Sequence, residues 1–271
     1  MIEKLNMASF KNVLSERPRD ANKGMFGHVL VIGSDKGFLG ATQMAAISAL
    51  RIGAGLASIA TRVEHASLLL YPEIMMHGVS SPKDLKPLLA RASVIVLGPG
   101  LGQSSWSKHL WKIAIKAKQP LVVDADALNL LSKKPHKNSH WILTPHVGEA
   151  ARLLKTSPED IQRNRENAVE ALQKKFGGIA ILKGHHTLIA DENQIARCDA
   201  GNPGMSTGGT GDILSGVIGG LLAQGLPLLT AAKMGVFVHA TAGDLAAKNG
   251  GERGMIATDL IPFLRQIINA F

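Results

Sequence analysis

Asn202-Pro203-Gly204-Met205-Ser206-Thr207-Gly208-Gly209-Thr210-Gly211-Asp212 runs directly into Ile213-Leu214-Ser215-Gly216-Val217-Ile218. Glycine lets a ligand approach the backbone closely and takes positive φ without steric cost. The apolar run that follows predicts a helix, whose start offers unpaired N–H groups and the positive end of a dipole, a setting suited to phosphate. Asp212 would repel a phosphate there. Its presence makes sense if it takes the proton from a hydroxyl that attacks the phosphate. The plainer alternative is a glycine-rich turn with Asp212 as a cap.

Outward from this run, apolar segments alternate in type. His28–Gly33, Leu56–Thr61, Ser93–Gly98, Pro120–Asp124, His140–Thr144 and Gly178–Lys183 read as strands; Ala41–Ile52 and Trp106–Lys118 read as helices. Ser157-Pro158-Glu159-Asp160 is a helix start, with a cap, a proline and acids in the first turn, and that helix is expected to run to about Lys175. Thr187–Ala190 and Gln194–Cys198 form a hairpin around Asp191-Glu192-Asn193, and Thr258–Ala270 closes the chain as a helix. Alternating strands and helices predict an α/β fold: a mostly parallel central sheet, helices on both faces and an antiparallel edge hairpin. With no long linker, low-complexity tract or repeat, residues 1–271 are expected to form a single domain.

Composition narrows the partners. The 271 residues are 45% hydrophobic, 19% charged and 4% aromatic, with 29 glycines, so small side chains dominate the packing. The formal net charge of +9 favours anionic ligands. The cluster Lys133, Lys134 and Lys137 lacks the interleaved aromatics of single-strand binders, so nucleic acid is not expected. The single cysteine, Cys198, cannot form an internal disulfide, and the first twenty residues lack a signal-peptide core; a cytoplasmic setting is expected. Ile213–Ala232 is uncharged and about as long as a membrane span, but its glycines, Gln224-Gly225 and Pro227 predict a helix, a turn and a second helix, and no membrane partner.

In such sheets ligands bind beyond the carboxyl ends of the strands. Gly33–Ala41, Gly98–Gly102, Asp124–Asn129, Thr144–Glu149 and Lys183–Thr187 all fall there and are expected to converge on one site. Neither a Walker loop nor a dinucleotide fingerprint is present: Gly33–Gly40 lacks the Gly-Lys-Ser/Thr ending, and Gly98-Pro99-Gly100-Leu101-Gly102-Gln103 lacks the last glycine. His146 could touch a substrate, and Glu149 could hold a hydrated magnesium ion, which needs few carboxylates when phosphates supply other oxygens. The plainer reading of this pair is a helix cap. Lys183 and the N–H groups after it suit phosphate oxygens. Adjacent His185 and His186 are expected to point apart, and no Cys or third clustered His supports zinc.

The segments GSDKGFLGA (33–41), VLGPGLG (96–102), VVDADALNLL (122–131), LTPHVGEAARLL (143–154), LKGHHTLIA (182–190) and NPGMSTGGTGDILSGVIGGLLAQG (202–225), in this order, resemble the ADP/ATP-dependent NAD(P)H-hydrate dehydratases, a branch of the ribokinase-like fold. The resemblance covers residues 20–271, and its last motif is the specific one. It implies a repair lyase that removes water from the S epimer of hydrated NADH or NADPH. The reaction would phosphorylate the ring hydroxyl, eliminate phosphate and release AMP from ADP, or ADP from ATP, with ADP favoured and Mg2+ assisting.

By the same resemblance Asp212 is the catalytic base, and Ala41, Gly102, His146 and Asp212 contact the hydrated dinucleotide. Lys183, Gly184, His185, His186, Thr187, Gly209, Thr210 and Gly211 contact the adenine nucleotide, and Glu149 holds magnesium through water. Many relatives have small residues where His185 and His186 stand. The resemblance also implies a homotetramer. The residues ahead of His28 are too few for the epimerase domain that some relatives carry, so a separate epimerase is expected. The alternative is a ribokinase-like kinase of a hydroxymethyl vitamin precursor, which shares GTGD and the magnesium position; many such kinases carry Asn-x-x-Glu where this chain has His146-Val147-Gly148-Glu149.

Overall fold

The computed structural model describes residues 2–68 and 70–271. In chain order the elements are β1 (Glu3–Lys4), β2 (His28–Ile32), α1 (Leu39–Arg51), β3 (Leu56–Thr61), β4 (Met75–Gly78), α2 (Pro82–Arg91), β5 (Val94–Leu97), α3 (Ser105–Ala114), β6 (Leu121–Val123), α4 (Ala125–Lys133), β7 (Trp141–Leu143), α5 (Val147–Leu154), α6 (Pro158–Arg163), α7 (Arg165–Phe176), β8 (Ile179–Leu182), β9 (Thr187–Ala190), β10 (Ile195–Cys198), α8 (Thr210–Ala223), α9 (Leu228–Gly250) and α10 (Ile261–Ile268).

All the strands join one sheet in the order β1-β10-β9-β8-β7-β6-β5-β2-β3-β4. Pairing is parallel from β4 through β8, antiparallel for β8–β9 and β9–β10, and parallel again where β1 lies against β10. The hairpin is therefore not the outermost edge, because β1 covers it.

The central strands are apolar on both faces, and successive residues feed two separate cores. Val29, Val31, Val94 and Val96 pack under α1, α8, α9 and α10. Leu30, Ile32, Ile95 and Leu97 pack under α2 through α7. Each fully buried side chain of this kind contributes about 1.5–3 kcal/mol of transfer free energy. Every residue of α8 from Ile213 to Ala223 is buried. This helix packs on the sheet beside α1, and its glycines allow the approach: a Cβ on Gly216 would strike the Ala45 carbonyl, and one on Gly220 would strike the backbone of Ala49. No helix among the described residues is long and apolar enough to cross a membrane; the apolar stretch breaks between α8 and α9 as its glutamine, glycine and proline predict.

Several boundaries differ from the sequence reading. The helix expected to reach Lys175 is two helices, split at Asn164, whose backbone leaves the helical region (φ −144, ψ 69) while its side chain caps the second helix. The helix from Trp106 ends at Ala114, and the last begins as a tight turn over Ala257–Leu260.

Candidate active site

The carboxyl ends of the parallel strands form one rim, and α8 begins above it. Gly209 precedes the helix at φ 98, a left-handed conformation that favours glycine; a Cβ there would also meet the Met44 side chain. The Thr210 hydroxyl donates to the carbonyls of Met205 and Thr207, both at 3.1 Å, which fixes the glycine-rich loop to the helix start. His239 of α9 lies with Nε2 2.9 Å from the Thr210 carbonyl. Burial drives its pKa down to about 4, so the ring is neutral and Nε2–H donates to that carbonyl. These ties leave the N–H groups of the first helical turn, through Asp212, free for a ligand.

Four charged side chains face one another below this turn. Asp124 follows β6 and is buried, with Oδ1 accepting from Lys183 Nζ at 2.9 Å and Oδ2 from the Ser215 hydroxyl at 2.6 Å. Burial works against the Asp124 charge, and the Lys183 ammonium overcomes it, holding the carboxyl below its ordinary range. Lys183 Nζ also lies 4.0 Å from Glu149 Oε2. A Cβ on Gly211 would stand 3.1 Å from that ammonium, so Gly211 leaves it room beside the helix start. Asp212 has its pKa pushed up to about 7, first by burial and then by the Asp124 charge, with Lys183 opposing. It is a carboxylate able to accept a proton near neutral pH.

Glu149 and His146 form a reciprocal cap on α5. Glu149 Oε2 accepts from the His146 N–H at 2.8 Å, and His146 Nδ1 accepts from the Gly148 N–H at 3.0 Å. The capping alternative thus describes their geometry, and it leaves His146 Nε2 3.6 Å from Glu149 Oε1, with the His146 side chain 55% exposed. Burial and the Lys183 charge lower the His146 pKa, favouring the neutral ring. Burial raises Glu149 to about 7. A single buried carboxyl at the helix start fits a magnesium ion held mainly by phosphate and water. Among the described residues no three His, Cys, Asp or Glu side chains gather into a metal cage.

On the other side of Asp212, the loops after β2 and β5 pair with each other: Ser34 N–H donates to Pro99 O at 3.0 Å and Asp35 N–H to Gly100 O at 2.7 Å. A Cβ on Gly100 would stand 3.2 Å from that of Ala41, at the start of α1. Gly102, at φ 68, donates its N–H to Asp126 Oδ2 at 2.8 Å, and the Asp126 charge reaches Asp212. Ala41, Gly102, His146, Lys183, Glu149 and the run Gly209–Asp212 thus surround one region, as their position at the strand ends predicts.

His185, His186 and Thr187 lie farther along the turn into β9. The expectation that the two rings point apart is wrong: their centroids are 3.7 Å apart. Strand alternation does not apply, because His186 takes a left-handed conformation (φ 55) within the turn. His186 Nδ1 lies 2.8 Å from Asp199 Oδ1, off the line of a hydrogen bond. Sequence reasoning did not single out Asp124, Ser215 or His239. Asp124 was visible as the polar end of an apolar strand; nothing local marks the other two, whose partners come from distant segments.

A profile of the family described as NAD(P)H-hydrate dehydratase matches residues 29–266. The ADP-dependent (S)-NAD(P)H-hydrate dehydratase of Neisseria meningitidis is 35% identical over 271 residues, covering 96% of this chain and 91% of its own. A ribokinase-like superfamily protein from Enterococcus faecalis superposes with a TM-score of 0.90 at 30% identity, covering 99% of this chain and 96% of its own. The Bacillus subtilis ADP/ATP-dependent NAD(P)H-hydrate dehydratase co-crystallised with ATP/Mg2+ gives a TM-score of 0.85 at 25% identity, covering 95% and 94%. The chain spans about half the length of other curated relatives it matches, bifunctional NAD(P)H-hydrate repair enzymes (53%, 52% and 53% of three of them). With its ribokinase-like fold and the family profile matched across most of its length, the chain belongs to the NAD(P)H-hydrate dehydratase family.

Proposed function

We propose that this chain, acting as one domain, removes water from the S epimer of NADH or NADPH hydrate and restores the reduced cofactor, with ADP, or less favourably ATP, as phosphoryl donor. The observation that carries the reading is Asp212: a half-buried carboxyl with its pKa raised to about 7, in the first turn of a helix whose start suits phosphate. The substrate's ring hydroxyl attacks the terminal phosphoryl group. As the oxygen–phosphorus bond forms and the bond to the nucleotide breaks, Asp212 takes the hydroxyl proton. The N–H groups of Gly209, Thr210 and Gly211 stabilise the charge on the transferring group, and Lys183 lies beside them. The ring nitrogen then expels phosphate, the neighbouring carbon loses a proton to water, and the double bond returns.

Ala41, Gly102 and His146 contact the dinucleotide in this reading, and the segment Lys183, Gly184, His185, His186 and Thr187 contacts the adenine nucleotide. Glu149 would hold Mg2+ through water, and the ion would supply charge neutralisation on the phosphates. The reading further assigns the chain to the cytoplasm and to a homotetramer. Incubation with hydrated NADH, Mg2+ and either nucleotide tests it. Recovery of the reduced nicotinamide absorbance with stoichiometric phosphate is expected, faster with ADP. A phosphorylated product that accumulates, or no recovery with either nucleotide, would overturn the reading and favour a kinase.

A further inference from the structure

We propose that Asp124 is the positioning residue of this site: its carboxylate holds the Lys183 ammonium and the first turns of α8 together, and so sets Asp212 and the phosphate-binding N–H groups against Lys183. The proposal rests on the dehydratase reading and deepens it.

Asp124 occupies the cap position of α4, where a carboxylate commonly accepts from its own helix's N–H groups, yet its side chain makes no such bond. Both oxygens are turned instead to distant segments. Oδ1 takes Lys183 Nζ at 2.9 Å, at the end of β8, and Oδ2 takes the Ser215 hydroxyl at 2.6 Å, one turn beyond Gly211. The Ser215 hydroxyl also lies 3.1 Å from the Gly211 carbonyl. One buried carboxylate therefore joins the ends of β6 and β8 to the turn that carries Asp212. Asp124 is 1% exposed and Ser215 fully buried, so water does not replace either bond readily. Without Asp124 the nearest acids to the ammonium would be Glu149, at 4.0 Å, and Asp212. The ammonium would be drawn toward Glu149 and Asp212 and lose its fixed place beside Gly211.

The charged groups facing Asp212 are Asp124 and Asp126 at the start of α4, Glu149 on α5 and Lys183 at the end of β8. Asp124→Asn removes a like charge from the base and frees Lys183 to approach it. Both changes favour the ionised base, so the midpoint at which activity is lost on acidification moves to lower pH. A carboxylate that merely held the fold together would lower the melting midpoint and leave that pH unchanged.

The experiment compares the full wild-type chain with Asp124→Asn and Ser215→Ala, measuring kcat against pH, KM for ADP with Mg2+, and thermal stabilisation by ADP with Mg2+. For Asp124→Asn the acid limb is expected to fall by about one pH unit or more, with KM for ADP raised and stabilisation by ADP lost. For Ser215→Ala kcat is expected to fall about tenfold, as for loss of a hydrogen bond to a charged group. An unmoved acid limb with wild-type KM in Asp124→Asn overturns the proposal. If Asp124→Asn does not fold, Ser215→Ala decides, and a wild-type kcat there overturns it. An inactive wild type would overturn the dehydratase reading instead; retention or loss of ADP stabilisation in Asp124→Asn would still decide the role of Asp124.

Discussion

At Asp212 burial and the neighbouring Asp124 charge keep the proton bound up to a pH of about 7. The unfolded chain releases the same proton near about pH 4. Between those values the folded state holds a proton that the unfolded state has lost, so this group's contribution to stability falls as pH rises through the window. Asp212→Asn is therefore expected to melt higher than the wild type at pH 8; each 1 kcal/mol gained would raise the midpoint by about 2–4 °C. The same variant is expected to lose about 10²–10⁴-fold in kcat while ADP still stabilises it against heat. Loss of ADP stabilisation together with activity would make Asp212 structural. With Asp212 as the proposed base, active only when ionised, kcat/KM of the wild type should rise with pH through about 7 and flatten above it.

How much of the site is readable from residues follows from where each partner lies. Asp212, His146, Glu149 and Lys183 stand in local patterns whose chemistry is evident in the chain. Asp124 is bound by groups 59 and 91 residues away, and His239 by a carbonyl 29 residues away; such pairings exist only once the sheet has formed.

Among the elements, the contact of α8 with α1 decides where the turn carrying Asp212 sits. Gly216 of α8 lies against the Ala45 backbone, so Gly216→Ala must push the helices apart. A loss of about 1–3 kcal/mol is expected, seen as a lower denaturant midpoint, with kcat falling as the start of α8 shifts. An unchanged midpoint would mean that the helices yield freely. Elements built on uninterrupted apolar runs, such as His28–Ile32 and Thr210–Ala223, were legible because such runs are buried on every side. β1 was missed because two exposed residues carry no pattern, and its pairing with β10 is purely tertiary. β4, Met75–Gly78, lacks β-branched residues and ends in glycine, and α2 carries Pro87 inside. The break at Asn164 was hidden because the residues on either side are good helix formers; its side-chain cap on the following helix marks the split.

For the whole molecule, the candidate site draws on the ends of β2, β5, β6, β7 and β8 and on the start of α8, so a ligand bound there joins segments that span most of the chain. ADP with Mg2+ should stabilise the folded state by about 2.7 kcal/mol at a hundred times its dissociation constant, in one cooperative transition. Removing the metal with a chelator should slow turnover and reduce this stabilisation; equal turnover without metal would exclude the role given to Glu149. The central claim concerns the fate of one oxygen atom. Hydrate labelled with 18O at the ring hydroxyl should be given to the enzyme with Mg2+ and unlabelled ADP in a single turnover, and the released phosphate weighed by mass spectrometry. Phosphorylation by way of Asp212 followed by elimination carries the substrate oxygen away on phosphorus, so each phosphate should contain one 18O. Unlabelled phosphate, with the label in water, would show that dehydration and nucleotide hydrolysis proceed separately and would contradict the mechanism.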